Sequence, residues 1–201
     1  MYKLYGSKGA GSVCVQFLLE EAKAPYEMIW VADVKAPDFL KVNPNGKVPA
    51  LQLPGGQIIY ESAAMMAFLA ETLPAAGMTP EIGTAKHALM LQWLVLLSAG
   101  TYESILRYFY PERYGEAVSV KSRASEEIDR LYGVMETELA QKGPYLCGKQ
   151  ISAADVYLTM LASWYEPDTT ALGKKFPRIL AVYNTVAARP SWKTVQAANA
   201  N

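Results

Sequence analysis

The residues able to do chemistry in this chain are few. His87 is the only histidine, and Cys14 and Cys147 are the only cysteines, among 201 residues. Ser-His-Asp catalysis and histidine-based metal sites would all depend on His87. It sits in a helical pattern with no partner motif and reads as a helix-surface residue. The cysteines lie far apart and form no CxxC, so neither a disulfide scaffold nor a zinc site is suggested. What remains is chemistry at the starts of helices. A helix start presents N–H groups without intrahelical partners and a partial positive charge, which suits an anion. Glu61-Ser62 opens one helix: Ser62 can add its hydroxyl to such a site, and Glu61 can accept from an ammonium. The alternative is that Ser62 is only an N-cap, and the two roles can coexist. The segment Tyr5-Gly6-Ser7-Lys8-Gly9-Ala10-Gly11-Ser12-Val13-Cys14 leads from a short β-like run into another helix.

The elements that must position these residues follow from periodicity and breakers. Residues 2–5 are a β-like run ended by Gly6. Residues 12–23 carry Val13, Phe17 and Leu18 at helical spacing. Residues 26–31 are rich in β formers, and 38–42 make a helical turn before the loop Asn43-Pro44-Asn45-Gly46. Residues 48–53 and 57–60 flank Pro54-Gly55-Gly56 as a hairpin. A helix over 62–73 is stopped by Pro74. The order β-α-β-(turn)-β-β-α is that of a thioredoxin-like domain, assigned to residues 1–74. Residues 75–83, with Gly77, Pro80 and Gly83, form a linker. Residues 84–201 read as an all-α domain: a long helix over 84–110 stopped by Pro111, then one with the stripe Ile128, Leu131, Tyr132, Met135 and Leu139, then helices over 152–165, 177–188 and 190–198. Ser152-Ala153-Ala154-Asp155 is a capping box, flanked by Ile151 and Val156 as a hydrophobic staple, and serves folding rather than catalysis.

Composition narrows the partners. Lys plus Arg and Asp plus Glu both number 19, so the formal charge is zero. Nucleic acid and anionic lipid are therefore not expected as main partners. The most apolar stretch, 88–99, is shorter than the roughly 20 residues of a membrane span, and no apolar signal region opens the chain. A cytoplasmic protein with reduced thiols is the expectation.

Three stretches carry a family resemblance: Val42-Asn43-Pro44-Asn45-Gly46-Lys47-Val48-Pro49-Ala50-Leu51, Tyr60-Glu61-Ser62-Ala63-Ala64, and Tyr145-Leu146-Cys147-Gly148-Lys149-Gln150-Ile151-Ser152-Ala153-Ala154-Asp155. In this order and at these gaps they resemble the glutathione S-transferases, over nearly the whole chain. The resemblance implies that fold, with glutathione as co-substrate, no metal, a role in detoxification and a homodimer. It also implies a cis Val48-Pro49 bond, and a Val48 backbone that pairs with the cysteinyl part of glutathione, as a ligand strand added to an edge. Glu61 and Ser62 would hold the γ-glutamyl end, and Lys47 and Lys35 are candidates for the glycyl carboxylate.

In such an enzyme the attacking group is the thiolate of glutathione. A free thiol has a pKa of about 8.5, and lowering it by two units needs roughly 2.7 kcal/mol of preference for the anion. The segment 5–14 looks most like the bacterial beta class, whose usual active-site cysteine aligns with Gly11 and is therefore missing. Ser12, at the helix start, is the first choice as thiolate donor, followed by Ser7 and Tyr5; the backbone N–H of Gly11 or Ser12 is a further alternative. Cys14 falls inside the helical stripe and reads as packed, as does Cys147. A small apolar electrophile would meet Tyr102, Arg107, Tyr108 and Trp164, in a site expected where the two domains meet. The alternatives are a non-catalytic glutathione- or partner-binding protein of the same fold, and a glutathione-dependent thiol oxidoreductase or peroxidase, for which Cys14 is the local candidate.

Overall fold

A computed structural model describes residues 1–200. Their contacts divide into two compact units: Met1–Thr79 together with the segment from Ala187 onward, and Pro80–Val186.

The first unit is built on four strands: β1 (Tyr2–Gly6), β2 (Tyr26–Trp30), β3 (Ala50–Gln52) and β4 (Ile58–Tyr60), in the order β2-β1-β3-β4. β1 and β2 are parallel, and α1 (Ser12–Glu21) is the crossover that such a pair needs. β3 is antiparallel to both β1 and β4. α2 (Pro37–Val42) follows β2, and α3 (Ser62–Thr72) follows β4. The sheet is thus mixed, and the unit is thioredoxin-like. Leu4 and Leu51 from the sheet, Phe17, Leu18 and Leu19 from α1, and Met65, Met66 and Leu69 from α3 are all fully buried and form its core.

The second unit is helical. α4 (Ala85–Val95), a π-helical segment (Leu96–Tyr102) and α5 (Glu103–Phe109) run on without a break. This run, Ala85–Phe109, is longer than the apolar stretch read from sequence, and by length and composition it could cross a membrane. Met90, Trp93, Leu94, Leu97 and Ile105 are buried in the unit, while Leu91, Val95 and Phe109 of the same run are exposed. α6 (Ala117–Lys142) buries the expected stripe of Ile128, Leu131, Tyr132, Met135 and Leu139. α7 (Ala153–Ala162) stops three residues earlier than the sequence pattern suggested. α8 (Thr169–Lys175) was not anticipated; Asp168 caps it by accepting from the Ala171 N–H at 2.8 Å. α9 (Pro177–Ala187) completes the unit.

The last helix, α10 (Pro190–Asn199), packs on α1 in the first unit, whereas the sequence reading grouped it with the other helices. Three contacts tie the pair along its length. Arg189 Nε donates to Glu21 Oε1 at 3.1 Å. The rings of Phe17 and Trp192 lie 6.1 Å apart. Asn199 Nδ2 donates to Gln16 Oε1 at 2.9 Å.

Candidate functional site

Strand register brings the candidate segments of the first unit together. Tyr5 pairs with Ala50, and Ala50 pairs with Tyr60. The residues just beyond these three, Gly6-Ser7 after β1, Val48-Pro49 before β3 and Glu61-Ser62 after β4, therefore share one end of the sheet. The α1 N-terminus follows the first of them and the α3 N-terminus the last.

At the middle strand the Val48–Pro49 peptide is cis. The Val48 N–H and C=O have no hydrogen-bond partner among the described residues, and Val48 is only half-buried. Its neighbours are fixed: the Lys47 carbonyl accepts from Asn43 Nδ2 at 2.6 Å, and Asn43 Oδ1 accepts from the Asn45 N–H at 3.0 Å. Asn43 is 2 % exposed. It sets the loop that presents Val48, a role the sequence reading did not assign, although the Asn-Pro-Asn-Gly string was its signal. Gly46 has φ +60°, and a Cβ there would lie 2.9 Å from Lys35 Nζ. Lys35 and Lys47, both exposed, thus flank one loop.

Glu61 is exposed and holds φ +73°, ψ +105°, a conformation that costs a non-glycine residue on the order of 1–3 kcal/mol. It is the N-cap residue of α3, which makes buried Ser62 the first helical residue rather than the cap.

The β1–α1 segment departs from expectation at Ser12. Gly11 is the N-cap residue and Ser12 begins the helix, fully buried. The Ser12 hydroxyl turns inward and donates to the Ser7 carbonyl at 3.2 Å, under Gly6, where a Cβ would meet Ser12 Oγ at 2.4 Å. Its only proton is committed inside the protein. Ser7 is half-buried and donates its hydroxyl to the Val31 carbonyl at 3.2 Å. Tyr5 is half-buried, its ring 6.3 Å from that of Phe39. The Ala10 N–H meets the Ser7 carbonyl and the Val13 N–H meets the Ala10 carbonyl, whereas the N–H groups of Gly11 and Ser12 between them have no acceptor among the described residues.

Cys14 is fully buried, its thiol 3.3 Å from the Gly11 carbonyl, and burial raises its pKa far above that of a free thiol. Burial also pushes Cys147 up to about 11. In both, burial disfavours the thiolate, the form that acts as a nucleophile. His87 lies in the first turn of α4, its N–H on the Thr84 hydroxyl at 3.3 Å. Among the described residues no three His, Cys, Asp or Glu side chains converge as metal ligands.

In the second unit a cavity is lined by Tyr108, Phe109, Ile128, Tyr132, Trp164 and Tyr165, among others. It brings together Tyr108 and Trp164 of the proposed electrophile residues. The Tyr102 ring lies 5.3 Å from that of Trp164, tilted by 50°, but Arg107 turns to the Tyr114 ring at 5.4 Å and is not part of the lining.

Comparison with known proteins agrees with this architecture. The model of the glutathione S-transferase N-terminal domain matches residues 14–72, and that of the C-terminal domain matches residues 92–190. The glutathione S-transferase-like protein OpS6 of Beauveria bassiana is 30% identical, covering 98% of this chain and 95% of its own. A bacterial beta class glutathione S-transferase of Sphingomonas chungbukensis superimposes with a TM-score of 0.85 at 29% identity, over 98% of both chains. A glutathione transferase homologue from Sulfitobacter, solved with bound glutathione, does so with a TM-score of 0.87 at 28% identity, again over 98% of both. The chain belongs to the glutathione S-transferase family.

Proposed function

We propose that the protein binds glutathione at the end of the sheet in its first unit, stabilises the thiolate, and adds it to a small apolar electrophile. The register Tyr5–Ala50–Tyr60 carries this reading, because it lines up the Val48 backbone, just before the middle strand, between two helix N-termini. The free N–H and C=O of Val48 pair with the cysteinyl backbone of the ligand. The γ-glutamyl carboxylate lies at the N-terminus of α3 and its ammonium on Glu61, while Lys35 and Lys47 face the glycyl carboxylate.

The thiolate then falls to the N-terminus of α1. Hydrogen bonds to a charged group are worth about 1.5–3 kcal/mol each. Two N–H donors, those of Gly11 and Ser12, therefore cover the roughly 2.7 kcal/mol that a two-unit drop requires. The Ser7 hydroxyl is the side-chain alternative, and it would have to leave the Val31 carbonyl, its acceptor at 3.2 Å, to serve. Tyr108 and Trp164 receive the electrophile, with Tyr102 behind Trp164. A homodimer is part of the reading: Leu91 and Val95, four residues apart on one face of α4, are 36% and 61% exposed. So is a reducing, cytoplasmic setting with a role in detoxification.

The inward hydroxyl of Ser12 favours one second reading, a glutathione-binding protein of this fold without turnover. Calorimetric titration with glutathione, paired with conjugation of a generic aryl halide, separates the two. The expected result is binding and turnover by the wild type and by Ser12→Ala. Binding without turnover on any electrophile selects the second reading, and no binding by the wild type overturns both.

A further inference from the structure

The β1–α1 segment is held from outside as well as from within. Asn199, in the last turn of α10, accepts the Gly9 N–H on Oδ1 at 3.2 Å and donates through Nδ2 to Gln16 Oε1 at 2.9 Å and to the Val195 carbonyl at 2.9 Å. Gln16 is 2 % exposed and passes the connection on, its Nε2 donating to the Tyr26 hydroxyl at 2.9 Å. Tyr26 in turn donates to Glu20 Oε1 at 2.6 Å. A second tie runs parallel: Lys8 Nζ donates to the Ala200 carbonyl at 2.7 Å.

Gly9 has φ +62° and open space where a Cβ would stand, so packing does not immobilise it. Glycine surrenders more backbone freedom than other residues when it is fixed, and the amide of Asn199 is the side chain that fixes it. Two and three residues on are the N–H groups of Gly11 and Ser12, without an acceptor among the described residues. The inner face of the segment is set by Ser12 Oγ on the Ser7 carbonyl, the outer face by Asn199. We propose that Asn199 is a positioning residue for the anion-binding start of α1: it holds the Gly9–Ser12 backbone so that both N–H groups point at one atom. This rests on the reading that the α1 N-terminus stabilises the thiolate.

The geometry also says how the effect transmits. Asn199 grips a buried α1 residue, Gln16, with one atom and the loop with another, so loop and helix are registered to each other. α10 itself stays in place without it, through Trp192 and the Arg189–Glu21 pair. Preorganised donors act because they cost no reorganisation when charge appears. Loosening them weakens the charged form of the ligand more than the neutral one.

The test is the ultraviolet titration of the thiol of enzyme-bound glutathione, in wild type and Asn199→Ala, with glutathione affinity measured alongside at a pH where the bound thiol is protonated. The expected result is an apparent thiol pKa higher by half a unit or more in the variant, with affinity within twofold. Conjugation then falls about three- to tenfold at low pH and recovers at high pH. A merely structural role would lower activity equally at all pH values. An unchanged pKa in Asn199→Ala overturns the proposal while leaving glutathione binding by the wild type intact. A wild type that fails to bind glutathione or to lower the thiol pKa defeats the functional reading instead. Should Asn199→Ala not fold, hydrogen exchange in the wild type decides. The Gly9 amide must then exchange more slowly than that of Gly55, an exposed turn glycine, and equal rates overturn the proposal.

Discussion

Asp155 accepts a hydrogen bond from the backbone N–H of Leu146, nine residues upstream, at 2.9 Å, while its second oxygen takes the N–H and hydroxyl of Ser152, each at 2.8 Å. The capping box therefore also pins the segment that enters α7. The side chain is fully buried, and burial lifts its carboxyl from 3.8 to about 6 despite these donors. Its folded pKa exceeds its unfolded value, so the folded chain holds the proton more tightly. The stability tied to this proton is present below about 4 and lost as pH rises through about 6. Urea unfolding of wild type and Asp155→Asn at pH 7 and pH 5 checks the sign. The wild type should gain on the order of 1 kcal/mol over the variant on acidification.

Gly6 and Ser12 occupy each other's space, since a Cβ on Gly6 would stand 2.4 Å from Ser12 Oγ and 2.7 Å from Met28 Cε. Gly6 also pairs with Trp30 in the sheet, so its backbone has little room to shift. Gly6→Ala should destabilise the first unit by about 2–3 kcal/mol through overpacking. Ser12→Ala should cost only about 1 kcal/mol, because the Ser7 carbonyl keeps the Ala10 N–H. Thermal unfolding of both variants reads the contrast.

Much of this architecture was legible in the sequence because it rests on strong local signals. The Pro and Gly breakers marked the β-α-β and β-β-α halves, and the stripe from Ile128 to Leu139 marked α6. α8 escaped because its seven residues bury only Leu172, too little for a periodic pattern. The placement of α10 escaped because its partners, Gln16, Phe17 and Glu21, lie far away in sequence. At the candidate site the segments were legible but the direction of a hydroxyl was not. Ser12 has the right type and position, yet it is turned inward by a carbonyl five residues back. No side-chain pattern could reveal that the Gly11 and Ser12 N–H groups lack an acceptor among the described residues.

Glu61 combines strain and chemistry in one residue. Its φ of +73° is favourable only for glycine. Glu61→Gly should raise stability by about 1 kcal/mol by relieving the backbone. The same change removes the carboxylate that accepts the ligand ammonium, so glutathione should bind about tenfold more weakly. Thermal unfolding without ligand and calorimetry with it should therefore move in opposite directions. A loss in both would assign Glu61 to packing rather than to the ligand.

Two neighbouring tyrosines in the helical unit should respond oppositely to losing a hydroxyl. Tyr132 and Tyr165 lie 5.8 Å apart, ring to ring. The Tyr132 hydroxyl is buried without a hydrogen-bond partner among the described residues, and burial raises its pKa well above that of a free phenol. An unpaired buried hydroxyl costs about 1–3 kcal/mol, while the ring itself packs against Phe176 at 5.6 Å. Tyr132→Phe keeps that packing and deletes the unpaired group, so it should stabilise the unit by about 1 kcal/mol. The Tyr165 hydroxyl donates to Asp129 Oδ1 at 3.2 Å. Tyr165→Phe removes a hydrogen bond to a carboxylate and should destabilise by about 1 kcal/mol. Denaturant midpoints of the two variants, compared under one condition, make the test. A Tyr132→Phe protein less stable than wild type would mean that its hydroxyl has found a partner in solution, most simply an ordered water in the cavity it lines.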